Sequence, residues 1–237
     1  MIVKNLTFVG IFLIIHTLLF CEEDIDKYFK RESKKFDRIA RKILAPVYPA
    51  IAKQIVEDYE VTEGICVDLG CGPGHLMLEM AKLTDLEFYG LDFNPYMLDL
   101  ARKNFNKNDF GQRLTVIKND ALNLCLKDNF ADLVISRGCL PFINNKAQFF
   151  REAYRILKKG GTAFIGGGFG RDLDPSAVSI IQKKLQQEME KKNNGGIPKM
   201  GVEKIERILW EIGIKNYKIL KDKGCPCSLW VEIHKDK

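Results

Sequence analysis

Ile65-Cys66-Val67-Asp68-Leu69-Gly70-Cys71-Gly72-Pro73-Gly74-His75 is the stretch that decides the fold. A mostly apolar, β-prone run reaches an acid, glycines then alternate with other residues, and Leu76–Leu83 follows with helical character. That order predicts a buried strand, a tight turn and a helix start. Glycines in such a turn let backbone approach a ligand that a Cβ would push away. The carboxylate of Asp68 at the strand end can take a cationic amino group. A dinucleotide fingerprint, G-x-G-x-x-G, would require glycine at position 75, where the chain has His75.

Further pieces follow in order. Leu86–Asp92 reads as a second strand that ends in an acid 24 residues after Asp68, where a carboxylate can accept hydrogen bonds from both ribose hydroxyls. Asn94 then reads as a helix N-cap with Pro95 at the first helical position, and Met97, Leu98 and Ala101 form an apolar face. Strands are predicted at Leu114–Ile117, ending at Asn119-Asp120-Ala121, and at Ala131–Ile135, ending at Ser136-Arg137. Lys158-Lys159-Gly160-Gly161 leads into a fifth, Thr162–Ile165. The spacing D-x-G-x-G-x-G and this succession over residues 60–170 resemble class I S-adenosylmethionine-dependent methyltransferases.

The resemblance implies a Rossmann-like three-layer α/β sandwich whose seven-stranded sheet is mostly parallel, with the last strand antiparallel. It implies S-adenosylmethionine as cofactor, held by Asp68, Gly70, Cys71, Gly72, Gly74, Asp92, Phe93, Met97, Asn119, Asp120, Ala121 and Ser136, with Asp120 facing the adenine amino group. Tyr28, Phe29, Phe36 and Arg38 have the aromatic and basic character of the family's leading helix, which closes over the cofactor. A helix simply packed on the sheet fits them equally. Tyr28, Arg38, Arg137 and Cys139 are the candidates for the acceptor side and lid, and the sequence assigns no catalytic residue. His75, at the start of a helix, reads as a cap.

Methyl transfer from a sulfonium needs mainly positioning and exclusion of water, and a base only where the nucleophile must lose a proton. Planar amino groups are usually methylated with a D/N-P-P-Y/F motif after the fourth strand. Residues 136–142 read Ser-Arg-Gly-Cys-Leu-Pro-Phe instead, which disfavours nucleobase and glutamine-amide targets. The expected acceptor is a small molecule. Two other functions stay open: a cofactor-binding regulatory protein without turnover, and a thiol-assisted metalloid methyltransferase. A nucleotide-dependent oxidoreductase on the same scaffold is disfavoured by His75.

At 237 residues, 46% hydrophobic and 29% charged, the chain suits one α/β domain with a sizeable core. The net charge is +6, and residues 183–237 hold 13 Lys and Arg against 8 Asp and Glu. A solvated helical face accounts for this, and without a zinc-finger, homeodomain or RNP signature no nucleic-acid partner is expected. Seven cysteines at irregular spacing, with only Cys225-Pro226-Cys227 close together, make no zinc set; no metal is expected, and reduced thiols are.

The amino terminus points elsewhere. Leu6–Phe20 is an apolar run with Lys4 before it and Cys21-Glu22-Glu23-Asp24 behind, long enough for a signal-peptide core and short for a span of about 20 residues. Residues 1–21 therefore read as an apolar leader: a signal, a membrane anchor touching lipid through residues 6–20, or a start placed too early. The remainder, 22–237, reads as one cytoplasm-facing domain, with N-terminal helices over 22–60 and a substrate cover over 166–200. The two helices, Asp26–Leu44 and Val47–Tyr59, are parted by Pro46. Val178–Lys192 reads as a further helix closed by Asn193–Gly196, before a last helix and two terminal strands.

Overall fold

The computed structural model describes residues 8–190, 201–223, 225 and 227–237, with residues 8–23 and 189 described as backbone only. Seven strands form one sheet: β1 (Ile65–Leu69), β2 (Glu87–Asp92), β3 (Leu114–Lys118), β4 (Ala131–Arg137), β5 (Leu157–Gly167), β6 (Tyr217–Leu220) and β7 (Leu229–His234). Their order is β3-β2-β1-β4-β5-β7-β6, and β7 runs antiparallel to both of its neighbours while the other six share one direction. This is the expected sheet.

Among the described residues seven α-helices accompany it: α1 (Phe8–Lys42), α2 (Val47–Tyr59), α3 (His75–Ala81), α4 (Pro95–Lys107), α5 (Lys146–Ile156), α6 (Pro175–Glu190) and α7 (Val202–Glu211). Alternation along the strands sorts them into layers. Cys66, Leu133, Ile135, Phe164 and Trp230 face one core with residues of α2, α3, α4 and α6. Val67, Val134, Ala163, Ile165 and Val231 face the other, with Phe149 and Phe150 of α5 and Ile205 and Leu209 of α7. Both faces are covered, so the central strands read as nearly continuous apolar runs.

Two expectations shift. Lys158–Gly161 is not a turn ahead of β5; it lies within the strand, whose pairing with β4 slips between Ala131 and Leu133 while Gly160 takes φ +79°. The first predicted helix begins earlier, because the backbone from Phe8 continues unbroken to Lys42. Residues 1–7 of the apolar leader and the Asn193–Gly196 helix closure lie outside the described residues. No helix among the described residues is long and apolar enough to cross a membrane, so the expected membrane contact finds no support there.

The order of strands reverses between β1 and β4. Open α/β sheets bind ligands at that crevice, outside the carboxyl ends of the strands. Asp68, the glycine turn and Arg137 all lie there.

Candidate functional site

The turn after β1 is held from behind by β2. Gly70 N–H and Cys71 N–H both donate to the Leu91 carbonyl, at 2.8 and 3.0 Å, and Gly74 N–H closes the turn on the Cys71 carbonyl at 3.0 Å. Gly72 has φ +52°, and a Cβ built there would meet only the Phe36 ring, at 3.5 Å. A side chain at this position would both strain the backbone and fill the cleft.

Asp92 stitches three segments together. One carboxylate oxygen accepts from Gly72 N–H at 2.9 Å and the other from Asn94 N–H at 2.8 Å. Asn94 caps α4 as expected, its side-chain oxygen accepting from Tyr96 N–H at 3.0 Å, with Pro95 at the first position. Burial raises the Asp92 carboxyl above the usual carboxylate range, opposed by its backbone donors.

Asp68 differs. It is buried, lines the cleft, and has no hydrogen-bond or ion-pair partner among the described residues. Burial and the neighbouring Asp92 push its carboxyl up to about 8. Among the described residues no cation is placed to ionise it near neutral pH.

The opposite wall comes from distant elements. Phe36 and Asp37 of α1, Tyr48 of α2, His75 of α3 and Arg137 at the end of β4 meet over the glycine turn. His75 Nε2 lies 3.1 Å from Asp37 Oδ1, and Arg41 holds the other Asp37 oxygen at 2.8 Å. Burial lowers the His75 pKa despite that carboxylate, which keeps the ring neutral near pH 7. His75 is thus no cap: Gly74 occupies the N-cap position, and the ring packs beside Tyr48 with centroids 5.3 Å apart. Arg137 donates to the Gly168 carbonyl at 3.1 Å and stands over Tyr48, but among the described residues no carboxylate pairs with it, and its buried Nε has no partner there.

α1 crosses the mouth of this cleft. Its buried residues Ser33, Asp37 and Ala40 fall at helical spacing along one stripe, which Leu44 continues just past the helix end. Asn94 Nδ2 donates to Ser33 Oγ at 2.9 Å, Phe29 meets Phe93 edge-on at 5.5 Å, and Tyr96 O–H donates to Asp26. Arg38 reaches Glu188 of α6 at 3.1 Å. The helix therefore bridges α4 and α6, leaving beneath it a cavity of about 30 Å³, room for about one water. A nucleoside-sized ligand needs several hundred cubic ångströms, so α1 must shift to admit one.

The sequence-derived site residues divide accordingly. Asp68, Gly70, Cys71, Gly72 and Arg137 line the cleft, and Asp92 joins its glycine turn through Gly72. Asn119 and Asp120 follow β3, spending their side-chain oxygens on the N–H groups of Cys125 and Leu122, with Asp120 exposed. Ser136 is buried, and its hydroxyl donates to the Leu69 carbonyl at 2.6 Å, tying β4 to β1. Phe93 is 60% exposed beside α1, and Met97 and Ala121 are half-buried. Tyr28 is 52% exposed and Arg38 turns to α6, so neither lines the cleft. Cys139 packs behind Gly70. Asp37 and Tyr48 carried no sequence signal, since each is a single residue on a helix far from the motif.

A larger concavity of about 380 Å³ lies over β6 and β7, lined among others by Asp58, Arg171, Lys218 and Glu232. It contains none of the motif residues, and these charges pair with one another.

Comparison with known proteins agrees with the motif. Residues 67–165 match a family model described as a methyltransferase domain. A crystal structure from Methanococcus maripaludis, described provisionally as an S-adenosyl-L-methionine-dependent methyltransferase, shares 35% identity, with a TM-score of 0.78 over 88% of this chain and 94% of that one. Ajmaline N-methyltransferase of Rauvolfia serpentina is 31% identical over 52% of this chain and 41% of its own length. Demethylmenaquinone methyltransferase of Lactobacillus johnsonii is 29% identical over 59% of each. The matches thus span roughly 40–60% of these curated relatives.

Proposed function

The chain belongs to the class I S-adenosylmethionine-dependent methyltransferases, and from that premise we propose that it transfers a methyl group to a small-molecule acceptor bound between α1, α2 and the end of β4. The observation that carries this reading is Asp68: a buried, unpartnered carboxylate beside a glycine turn that presents open backbone. Those residues fit the cofactor's cationic amino-acid end, while Asp92 and the turn it fixes fit a ribose. When bound, S-adenosylmethionine supplies an electrophilic methyl group on a sulfonium.

The chain's own residues do the rest. Asp68 takes the cationic amino group and thereby ionises. Asp92 keeps lone pairs for ribose hydroxyls while it fixes Gly72. Asn119, Asp120 and Ala121, which follow β3, are the residues placed to meet the adenine: Asp120 is exposed and gives one carboxylate oxygen to Leu122 N–H, while the Asn119 side-chain oxygen accepts from Cys125 N–H. Phe36 and Tyr48 exclude water. Arg137 is the one cleft cation without a carboxylate partner among the described residues, which suits an acceptor bearing negative or strongly polar groups. His75 is neutral and oriented by Asp37, so it can take a proton from an O–H or N–H acceptor. α6, with the loop before it, completes the cover.

The named relatives are an ajmaline N-methyltransferase and a demethylmenaquinone methyltransferase, so they favour a small organic acceptor without fixing its atom. The test uses cofactor with an isotope-labelled methyl group and fractionated small metabolites. A labelled product with stoichiometric S-adenosylhomocysteine supports the proposal. Calorimetric binding of the cofactor with no label transferred from any fraction would leave the regulatory, non-catalytic reading.

A further inference from the structure

Two thiols outside the cleft remain without a role. Cys225 and Cys227 lie between β6 and β7, where Ser228 N–H donates to the Cys225 carbonyl at 3.0 Å and turns the chain back on itself. Their Sγ atoms stand 2.9 Å apart. Cys225 is buried and Cys227 is exposed. Gln182 of α6 donates to both sulfurs at 3.4 Å, holding the pair from one side. The residues flanking the pair are anchored: Asp222 N–H donates to Ser228 Oγ, and the Asp222 carboxylate accepts from Phe169 N–H and Trp230 Nε1.

Two uses of such a pair can be separated. Thiolates sharing one tetrahedral zinc stand roughly 3.8 Å apart, because each Zn–S bond is about 2.3 Å. This pair is closer than that, and among the described residues no group of three or more His, Cys, Asp or Glu is placed to complete a metal shell. A disulfide needs the sulfurs at about 2.0 Å, which rotation of two side chains on one turn can provide. One exposed and one buried sulfur also match the roles of an attacking and a resolving thiol.

We propose that Cys225 and Cys227 form a reversible dithiol–disulfide site that exchanges with low-molecular-weight disulfides. Cys227, as thiolate, attacks one sulfur of the small disulfide, breaking its S–S bond and releasing one thiol. Cys225 then loses its proton and attacks Cys227 Sγ, which expels the second small thiol. Two protein thiols are oxidised by two electrons and one disulfide is reduced to two thiols. Cys227 is exposed and Cys225 buried, so Cys227 meets the small disulfide first, and burial together with the adjacent Cys227 thiol pushes Cys225 up to about 11. Neither residue belongs to the methyl-transfer site, and the inference stands whatever the acceptor is.

The experiment uses the full chain, equilibrated with oxidised and reduced glutathione in graded ratios, capped with iodoacetamide and digested with trypsin. The expected product is peptide 224–235 lighter by 2 Da and carrying no alkyl group, restored to two alkylated cysteines by dithiothreitol. Cys225→Ser should stop at a glutathione adduct on Cys227, and Cys227→Ser should react at least tenfold more slowly than wild type. A wild-type chain that keeps both cysteines alkylatable at every ratio, or that accumulates the Cys227 adduct, overturns the proposal. So does one equivalent of zinc alone binding tightly enough to protect both thiols from glutathione.

Discussion

On the β1–β2 side of the cleft the chain presents backbone; on the α1 side it presents side chains gathered from four elements. The first wall is made by residues within one βαβ unit, where Leu91 and Asp92 hold the glycine turn from the adjacent strand. The second needs Phe36, Asp37, Tyr48, His75 and Arg137 to arrive from α1, α2, α3 and β4. A wall of backbone in short register is rigid and varies little with sequence. One of side chains on a crossing helix can move and can be respecified. The proposed cofactor half belongs to the first kind and the proposed acceptor half to the second.

The sharpest way to break this comparison is to put a side chain into the backbone wall. Gly72→Val should reduce adenosylmethionine binding by more than about 100-fold, because valine resists φ +52° and its branches would enter the cleft. Circular dichroism should retain a folded α/β spectrum. Normal binding by the variant, measured by calorimetry, would mean that the turn does not face the ligand.

Asp92→Ala comes next. Loss of a charged acceptor for ribose hydroxyls costs about 1.5–3 kcal/mol of binding. The geometry adds that Gly72 N–H and Asn94 N–H also lose their acceptor, so thermal stability should fall as well. A variant that melts earlier yet binds with wild-type affinity would assign Asp92 to the turn alone.

Asp68 makes a pH prediction. Its folded-state pKa is raised from 3.8 to about 8, so the folded protein binds a proton that the unfolded chain has released. Between those values the stability of the ligand-free protein falls as pH rises, and the loss is complete above about pH 8. Binding a cationic amino group requires the ionised carboxylate. Affinity should therefore rise from pH 6 to 8, by up to about tenfold per unit, and level off above. Asp68→Asn should bind weakly with a flat profile. An equally steep profile in Asp68→Asn would place the titrating group elsewhere.

These differences follow what could be read from the residues in order. The strand sequence, the Asn94 cap and the carboxylates Asp68 and Asp92 were legible because each depends on neighbours within about 30 positions. The antiparallel final strand came only through family resemblance. Tyr28 and Arg38 have the residue types of a cofactor lid, but the buried stripe of α1 runs through Ser33, Asp37 and Ala40 and leaves both outside it. Two polar residues on that stripe hid it from a search for apolar periodicity. Ser136 looked like a cofactor ligand because it ends a central strand, yet its hydroxyl crosses to Leu69. His75 was read from its helix start alone, and its partner Asp37 lies 38 residues away. Long-range side-chain meetings of this kind leave little trace in local pattern.

The smallest expected effect bears on the side-chain wall directly. Ser33 Oγ accepts from Asn94 Nδ2 at 2.9 Å and donates to the Phe29 carbonyl at 2.7 Å, which makes it a polar latch between α1 and the N-cap of α4. Ser33→Ala removes one interhelical hydrogen bond while leaving the Asn94 cap to Tyr96 intact. One such bond contributes about 0.5–1.5 kcal/mol, a small share of a domain's stability, so melting should shift by only a few degrees. The effect should be concentrated in α1, where amide exchange over residues 24–42 should quicken several-fold while β1 and β4 keep their protection. Because α1 must shift to admit the cofactor, the association rate in stopped flow should rise a few-fold. Equal exchange in wild type and variant, with unchanged association, would make α1 as fixed as the glycine wall. The cleft would then need another way in.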